Sequence, residues 1–118
     1  MILIKLGAFF SLLSVAIGAF GAHSLENIID DKMNIFKTAI QYQIFHSIAL
    51  MITGLISTTT KIDLMSVGYL FIIGILFFSG SLYIISIFKI SKLGMITPIG
   101  GVCFIIAWIL LIYKVNNI

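Results

Sequence analysis

Charge is scarce in this chain. Only 9% of its 118 residues are charged, against roughly 25% in ordinary soluble domains. A soluble domain of this length has no means of hiding a 61% hydrophobic fraction, so lipid is the expected solvent. Arginine is missing altogether. All seven basic residues are Lys, scattered at the ends of apolar runs. Charges so placed belong to a membrane interface rather than to a nucleic-acid patch, and no nucleic acid is expected as a partner. Lys without Arg, beside heavy Ile usage, fits an AT-rich bacterial genome. Cysteine occurs once. Cys103 closes no intrachain disulfide and forms no zinc cluster, and within an apolar run it reads as a small buried hydrophobe. The apolar runs also lack carboxylates: Glu26, Asp30, Asp31 and Asp63 all fall between them. With no carboxylate pair in a span, no nucleophile–base pair and no phosphate-binding glycine loop after a strand, an enzyme is the least supported class.

What the chain does have is length of apolar sequence. About 20 apolar residues carry a helix across the hydrocarbon core. Four segments qualify, at about 2–22, 36–57, 64–88 and 93–113. The connections HSLENIIDDKMN, STTTKID and KISK are too short for a soluble domain, so residues 1–118 read as one integral membrane domain. The expected fold is all-α: four transmembrane helices in an up-down bundle, with a short interfacial helix between the first two. Leu25, Ile28 and Ile29 would give that short helix its apolar edge. The first span, with Lys5 and the small residues AFGA, also has the marks of a signal peptide. Cleavage would leave no exported domain to deliver, and an uncleaved helix is expected. The side of the membrane holding both termini carries Lys5, Lys61 and Lys114, and the other carries Lys32, Lys37, Lys89 and Lys92. That balance assigns no orientation.

Small residues mark where helices approach. Gly7, Ser11, Ser14, Gly18 and Gly21 recur at steps of four and three and share one stripe of the first helix. Such stripes let backbones come close in lipid, where packing drives association. Contact inside the monomer is the reading favoured here over an oligomer interface. The third span carries small residues on two sides, with Gly80 among them, and so is expected to touch two neighbours. The fourth opens with ITPIGG. Pro98 in a first turn loses no needed hydrogen bond, Thr97 is placed to cap that turn, and Gly100 and Gly101 permit a close approach. Trp108 lies deep in its span, so its indole N–H is expected to find a partner.

The stretch FKTAIQYQIFHS, residues 36–47, is the conspicuous departure from apolar sequence. A polar group in hydrocarbon is costly unless satisfied. Thr38, Tyr42, Gln43, His46 and Ser47 fall on one half of the helix, with Thr53, Gly54 and Ser57 continuing that side. Ile40, Ile44, Ile48, Met51 and Leu55 line the other. The polar side is expected to face the bundle as an intramembrane cluster, with Tyr42–His46 and Gln43–Ser47 pairs, bonded across to GAFGAH and ITPIGG. Lys37 and Gln41 sit toward lipid near the helix start, where Lys snorkels to the headgroups.

The segments GAFGAHSLE at 18–26, FKTAIQYQIFHSIAL at 36–50, LFFSGSLYI at 76–84 and ITPIGG at 96–101 resemble the small bacterial inner-membrane proteins of the YgdD type. That family carries a domain-of-unknown-function label and is similar to the eukaryotic transmembrane-protein-256 group. The matching positions include Gly18, Gly21, His23, Tyr42, Gln43, His46, Ser79, Gly80, Ser81, Pro98 and Gly100. The resemblance implies a four-helix membrane protein of the bacterial inner membrane. It supplies no reaction and no catalytic residues.

Three functions are open to such a chain. A structural or accessory membrane component, packed with itself or in a larger complex, is the reading adopted. A small-solute or proton-linked carrier using His46 is the second, since ionisable groups inside spans are functional candidates. A haem- or metal-holding protein with His23 and His46 as ligands is the third. No third ligand is evident, and no cofactor is expected.

Overall fold

The computed structural model describes residues 1–116. Helix α1 runs Ile2–Ser24, α2 Met33–Thr60, α3 Met65–Phe88 and α4 Thr97–Val115. The last is preceded by a 3-10 turn, Ser91–Met95. All four are long and apolar enough to cross a membrane, and the described residues contain no strand. Consecutive helices run antiparallel and pack in chain order. The bundle measures 49 × 27 × 16 Å, flattened because α2 and α3 form the middle while α1 and α4 lie to either side.

The bundle turns an apolar surface outward and buries polar groups among an apolar core that includes Leu50, Val67 and Phe71. Phe9, Leu12 and Val15 of α1, Ile52 and Leu55 of α2, Leu76 of α3 and Ile109 of α4 are exposed, while Ser14, Gln43, Ser47, Thr53, Ser79 and Ser86 are buried. Lipid is as apolar as Leu, so aliphatic side chains gain little by turning inward, whereas polar groups must find protein partners.

Small residues set the register. A side chain at Gly7 would meet Met51 and the Ser47 carbonyl, Gly54 lies against Leu3 and Ile4, Gly18 against Ile40, and Gly21 against Phe36. The α1 stripe therefore packs on α2 of the same chain. Ser11 and Ser14 complete it, each hydroxyl donating to the carbonyl four residues back, on Gly7 and Phe10. Met51, expected toward lipid, lies over Gly7 because a glycine leaves room there for its flexible chain. Gly68 packs on Leu3, Gly74 on Phe104, and Gly100 on the Phe78 backbone. Gly101 is in ordinary contact with the Phe78 ring. Gly80 is a correction: nothing lies within 4 Å of where its side chain would be, so it packs on no neighbour. Pro98 sits in the first turn of α4 and is exposed. Thr97 caps no backbone group of that turn. Its hydroxyl lies 2.5 Å from that of Ser81 and so bridges α3 to α4.

Two helices end without glycine. Lys61 closes α2 at φ 64 and Lys89 closes α3 at φ 60, each N–H donating to the carbonyl four residues back. This left-handed conformation usually falls to Gly and costs other residues about 1–2 kcal/mol. Lys61→Gly is therefore expected to raise stability by about 1 kcal/mol, read from unfolding in mixed micelles. A variant no more stable than the parent would show that the Lys61 side chain contributes as much as its backbone costs. Lys89 differs. Its ammonium donates to the Ile29 carbonyl and lies 3.3 Å from Asp31, closing α3 onto the short helical turn Glu26–Ile29. Ile29 is fully buried beneath this clip, while Ile28 is exposed. The hydrogen bond and charge of Lys89 hold the Asp31 carboxyl below its ordinary range. The sign follows: that contribution is present above the unfolded pKa and is lost as pH falls through the lowered folded value. It is small, because Asp31 is in open solvent.

Within α1 and α3 the helix widens to π geometry at Ile17–Gly21 and Ile75–Ser79. Such segments recur at functional sites. The second turns Phe78 onto Gly100 of α4 while the Ser79 hydroxyl donates to the Ala39 carbonyl of α2, at 2.8 Å.

Candidate functional site

The polar cluster of α2 divides into two nodes. The first is Gln43. Its amide donates to the Phe10 carbonyl of α1 at 3.0 Å, and its carbonyl oxygen accepts from the Tyr83 hydroxyl of α3 at 2.5 Å. One side chain thus ties three helices. Ser47 contributes locally, donating to the Gln43 backbone carbonyl. Gln43–Ser47 is therefore a side chain-to-backbone bond, and the Gln43 side chain is free to reach across. Among the described residues no buried side-chain nitrogen or oxygen lacks a partner.

The second node is His46. The Trp108 indole N–H donates to Nε2 at 3.1 Å, so Nε2 is an acceptor. The proton of the neutral ring then lies on Nδ1, which donates to the Tyr42 carbonyl at 2.8 Å. The ring stacks on Phe104 with centroids 3.6 Å apart and planes 10° apart. The Trp108 partner foreseen from depth alone is therefore His46. His46→Leu is expected to lose about 1 kcal/mol, the order of interhelical polar contacts in membranes, measured as above. A clear gain in stability would mark His46 as kept for function at the expense of the fold.

Tyr42 and Thr38 do not join the interior network. Thr38 donates to the Asn34 carbonyl of its own helix. Tyr42 is 41% exposed, and its ring tilts over Phe78 at 4.5 Å. The cross-links also miss the expected segments: Gln43 reaches Phe10 and Tyr83 rather than GAFGAH, and His46 reaches Trp108 rather than ITPIGG. The cause is register. Antiparallel packing sets Gly21 beside Phe36, so GAFGAH lies at the start of α2, and ITPIGG lies two to three turns from Trp108 along α4. The same register separates His23 from His46. His23 is exposed in the last turn of α1, near the level of Phe36, which is ten residues and about 15 Å along the axis from His46. The structure does not bring the two imidazoles together, and both nitrogens of His46 are already engaged. Among the described residues no three His, Cys, Asp or Glu gather as a metal site.

Beside the His46 node a groove of about 630 Å³ opens on the outer face between α2 and α4. Tyr42, Phe45 and His46 form one wall, and Gly101, Phe104 and Trp108 the other. Phe78 of α3 and Gln41 also line it, at the level of Tyr42 and Gly101. α2 and α4 run parallel, spaced apart by the stacked rings of His46 and Phe104.

Sequence reasoning passed over Tyr83, Phe78 and Phe104. A signal for Tyr83 existed: a Gln expected to face the bundle needs a donor on a neighbour, and Tyr83 is the phenol of LFFSGSLYI. Phe104 carried none, being one aromatic in an apolar helix.

A family profile described as a protein of unknown function (DUF423) matches residues 17–101. That stretch includes Gln43, His46 and Tyr83. A UPF0382 membrane protein of Staphylococcus haemolyticus is 49% identical, over 92% of this chain and 90% of the relative. One of Staphylococcus aureus is 51% identical over 92% and 90%. The UPF0382 membrane protein YwdK of Bacillus subtilis is 45% identical over 94% and 93%. No solved structure matches.

Proposed function

The chain belongs to the DUF423 family, a family of membrane proteins of unknown function, and on that premise we propose that it is a structural or accessory component of the bacterial cell membrane. The reading treats the chain as a single membrane domain that acts through its outer surface, on lipid, on further copies of itself or on a larger complex, and that catalyses no reaction. It also extends the family kinship to the YgdD-type and transmembrane-protein-256 proteins.

The observation that carries the reading is the closure of the polar interior. The Gln43 bonds to Phe10 and Tyr83 consume the polar groups at the centre of the bundle, and His46 is held on both nitrogens. A proton or solute pathway needs polar groups that exchange partners. Here they fasten helices to each other.

The test is flux in liposomes. Proton and small-solute flux should equal that of empty vesicles, and His46→Ala should leave it unchanged. Flux well above empty vesicles that falls in the His46 variant would replace this reading with a carrier.

A further inference from the structure

The geometry points to a bound lipid: an anionic glycerophospholipid seated in the α2–α4 groove, its phosphate on Lys37 and one acyl chain along the aromatic floor. This goes beyond the structural reading and needs only that the bundle lies in a bilayer. Lys37, Gln41 and Phe45 are spaced by four and share one face of α2. Gln41 and Phe45 line the groove, and Lys37 stands one turn, about 6 Å, beyond Gln41 toward the helix start. The order along this stripe is cation, amide, aromatic ring. A phospholipid entering from that end presents phosphate, ester carbonyl and acyl chain in the same order.

The two outer levels carry polar groups without a protein partner. Lys37 is exposed and has no carboxylate partner among the described residues, whereas Lys89 at the same end is paired with Asp31. Neither the Gln41 amide nor the Tyr42 hydroxyl hydrogen-bonds another side chain or backbone group among the described residues, and both face outward. Beside hydrocarbon such donors require an acceptor, which an ester carbonyl supplies. Deeper in the groove the polar edges are spent: Trp108 donates to His46, leaving ring faces of Phe104, Phe45 and Trp108 for an acyl chain. The groove is built by the close approach of Gly100 to Phe78 and by the π segment that turns Phe78 toward α4. Charge complementarity selects the headgroup. A phosphatidylglycerol leaves its negative charge to Lys37, while the choline of a phosphatidylcholine opposes it.

Trp108 is the sole tryptophan and lines the groove, so it reports the occupant directly. The full chain would be reconstituted in phosphatidylcholine vesicles containing increasing fractions of phosphatidylglycerol brominated at mid-chain. A parallel series would use brominated phosphatidylcholine. Quenching of Trp108 by the anionic lipid should require about fivefold less lipid, the ratio given by one lysine at a membrane surface. Lys37→Gln, an exposed change that leaves the fold intact, should bring the two curves together by weakening the anionic one alone. Gly101→Leu should fill the groove and reduce quenching by both lipids. If that variant folds poorly by circular dichroism, Ile105→Phe narrows the same groove, since Ile105 of α4 is exposed and lines it beside Phe104. Soluble glycerol phosphate should displace nothing, which separates a lipid site from a phosphate site. Equal curves for the parent, or a preference that survives Lys37→Gln, would overturn the proposal. So would cross-linking of two copies through the groove with quenching that falls as protein concentration rises. Transport activity would change none of these readings, so this proposal and the structural one fail separately.

Discussion

Gly100→Ala is expected to destabilise the bundle by about 3 kcal/mol, the upper part of the range for overpacking a filled site. A side-chain carbon at Gly100 would lie 2.3 Å from the Phe78 nitrogen and 2.8 Å from its Cα. The obstacle is backbone, so no rotamer change relieves it and α4 must move off α3. That shift also opens the Thr97–Ser81 bridge and the wall of the outer groove. Two other glycines of the bundle serve as controls. At Gly74 the obstacle is the Phe104 ring, 2.4 Å away, which can turn only by leaving its stack on His46, so Gly74→Ala should cost about 2 kcal/mol. Gly80 has open space, so Gly80→Ala should be neutral or stabilising by about 0.5 kcal/mol through helix propensity. Denaturation in mixed micelles, followed by helical circular dichroism, ranks the three. A Gly100 variant within about 0.5 kcal/mol of the parent would mean that α3 and α4 do not touch at this point.

Removing the Gln43 side chain is the second large effect. Gln43→Leu should cost about 2 kcal/mol, because the half-buried Tyr83 hydroxyl loses its acceptor while the link to the Phe10 carbonyl is also cut. The Phe10 carbonyl keeps the Ser14 hydroxyl, so the larger share falls on Tyr83. Tyr83→Phe alone should cost about 1 kcal/mol, and the double variant little more than Gln43→Leu. A double-mutant cycle would then report a coupling near 1 kcal/mol, within the span measured for polar contacts between membrane helices. Additive single effects would show that the two side chains do not meet.

Much of this architecture was legible in composition and period. Four long apolar runs with short polar connections admit four crossing helices, since in hydrocarbon every backbone polar group must bond within its own segment. The small-residue stripe of α1 was legible for the same kind of reason: a row of glycines and serines at helical spacing has no use toward lipid. Of the isolated polar residues of α2, Gln43 and His46 were legible as cross-links waiting for partners, while Thr38 and Tyr42, read with them, stay outside the network.

What the linear chain left open were the partners. Gln43 and Ser47 are four apart and were read as a pair, yet the Ser47 hydroxyl goes to the Gln43 backbone and the amide crosses to Phe10 and Tyr83. His23 and His46 were offered as a ligand pair, and the register of α1 on α2 parts them by about ten residues. Gly80 and Gly100 look alike as glycines in small-residue motifs, and only packing tells an open position from one pressed on a backbone. The aromatic groove had no sequence signature, because it arises where two parallel helices are held apart by a His–Phe stack. Helix formation in lipid is dictated locally, by hydrogen bonds within each segment. Rotation and register between helices are decided by which surfaces meet, and that is a property of the assembled bundle.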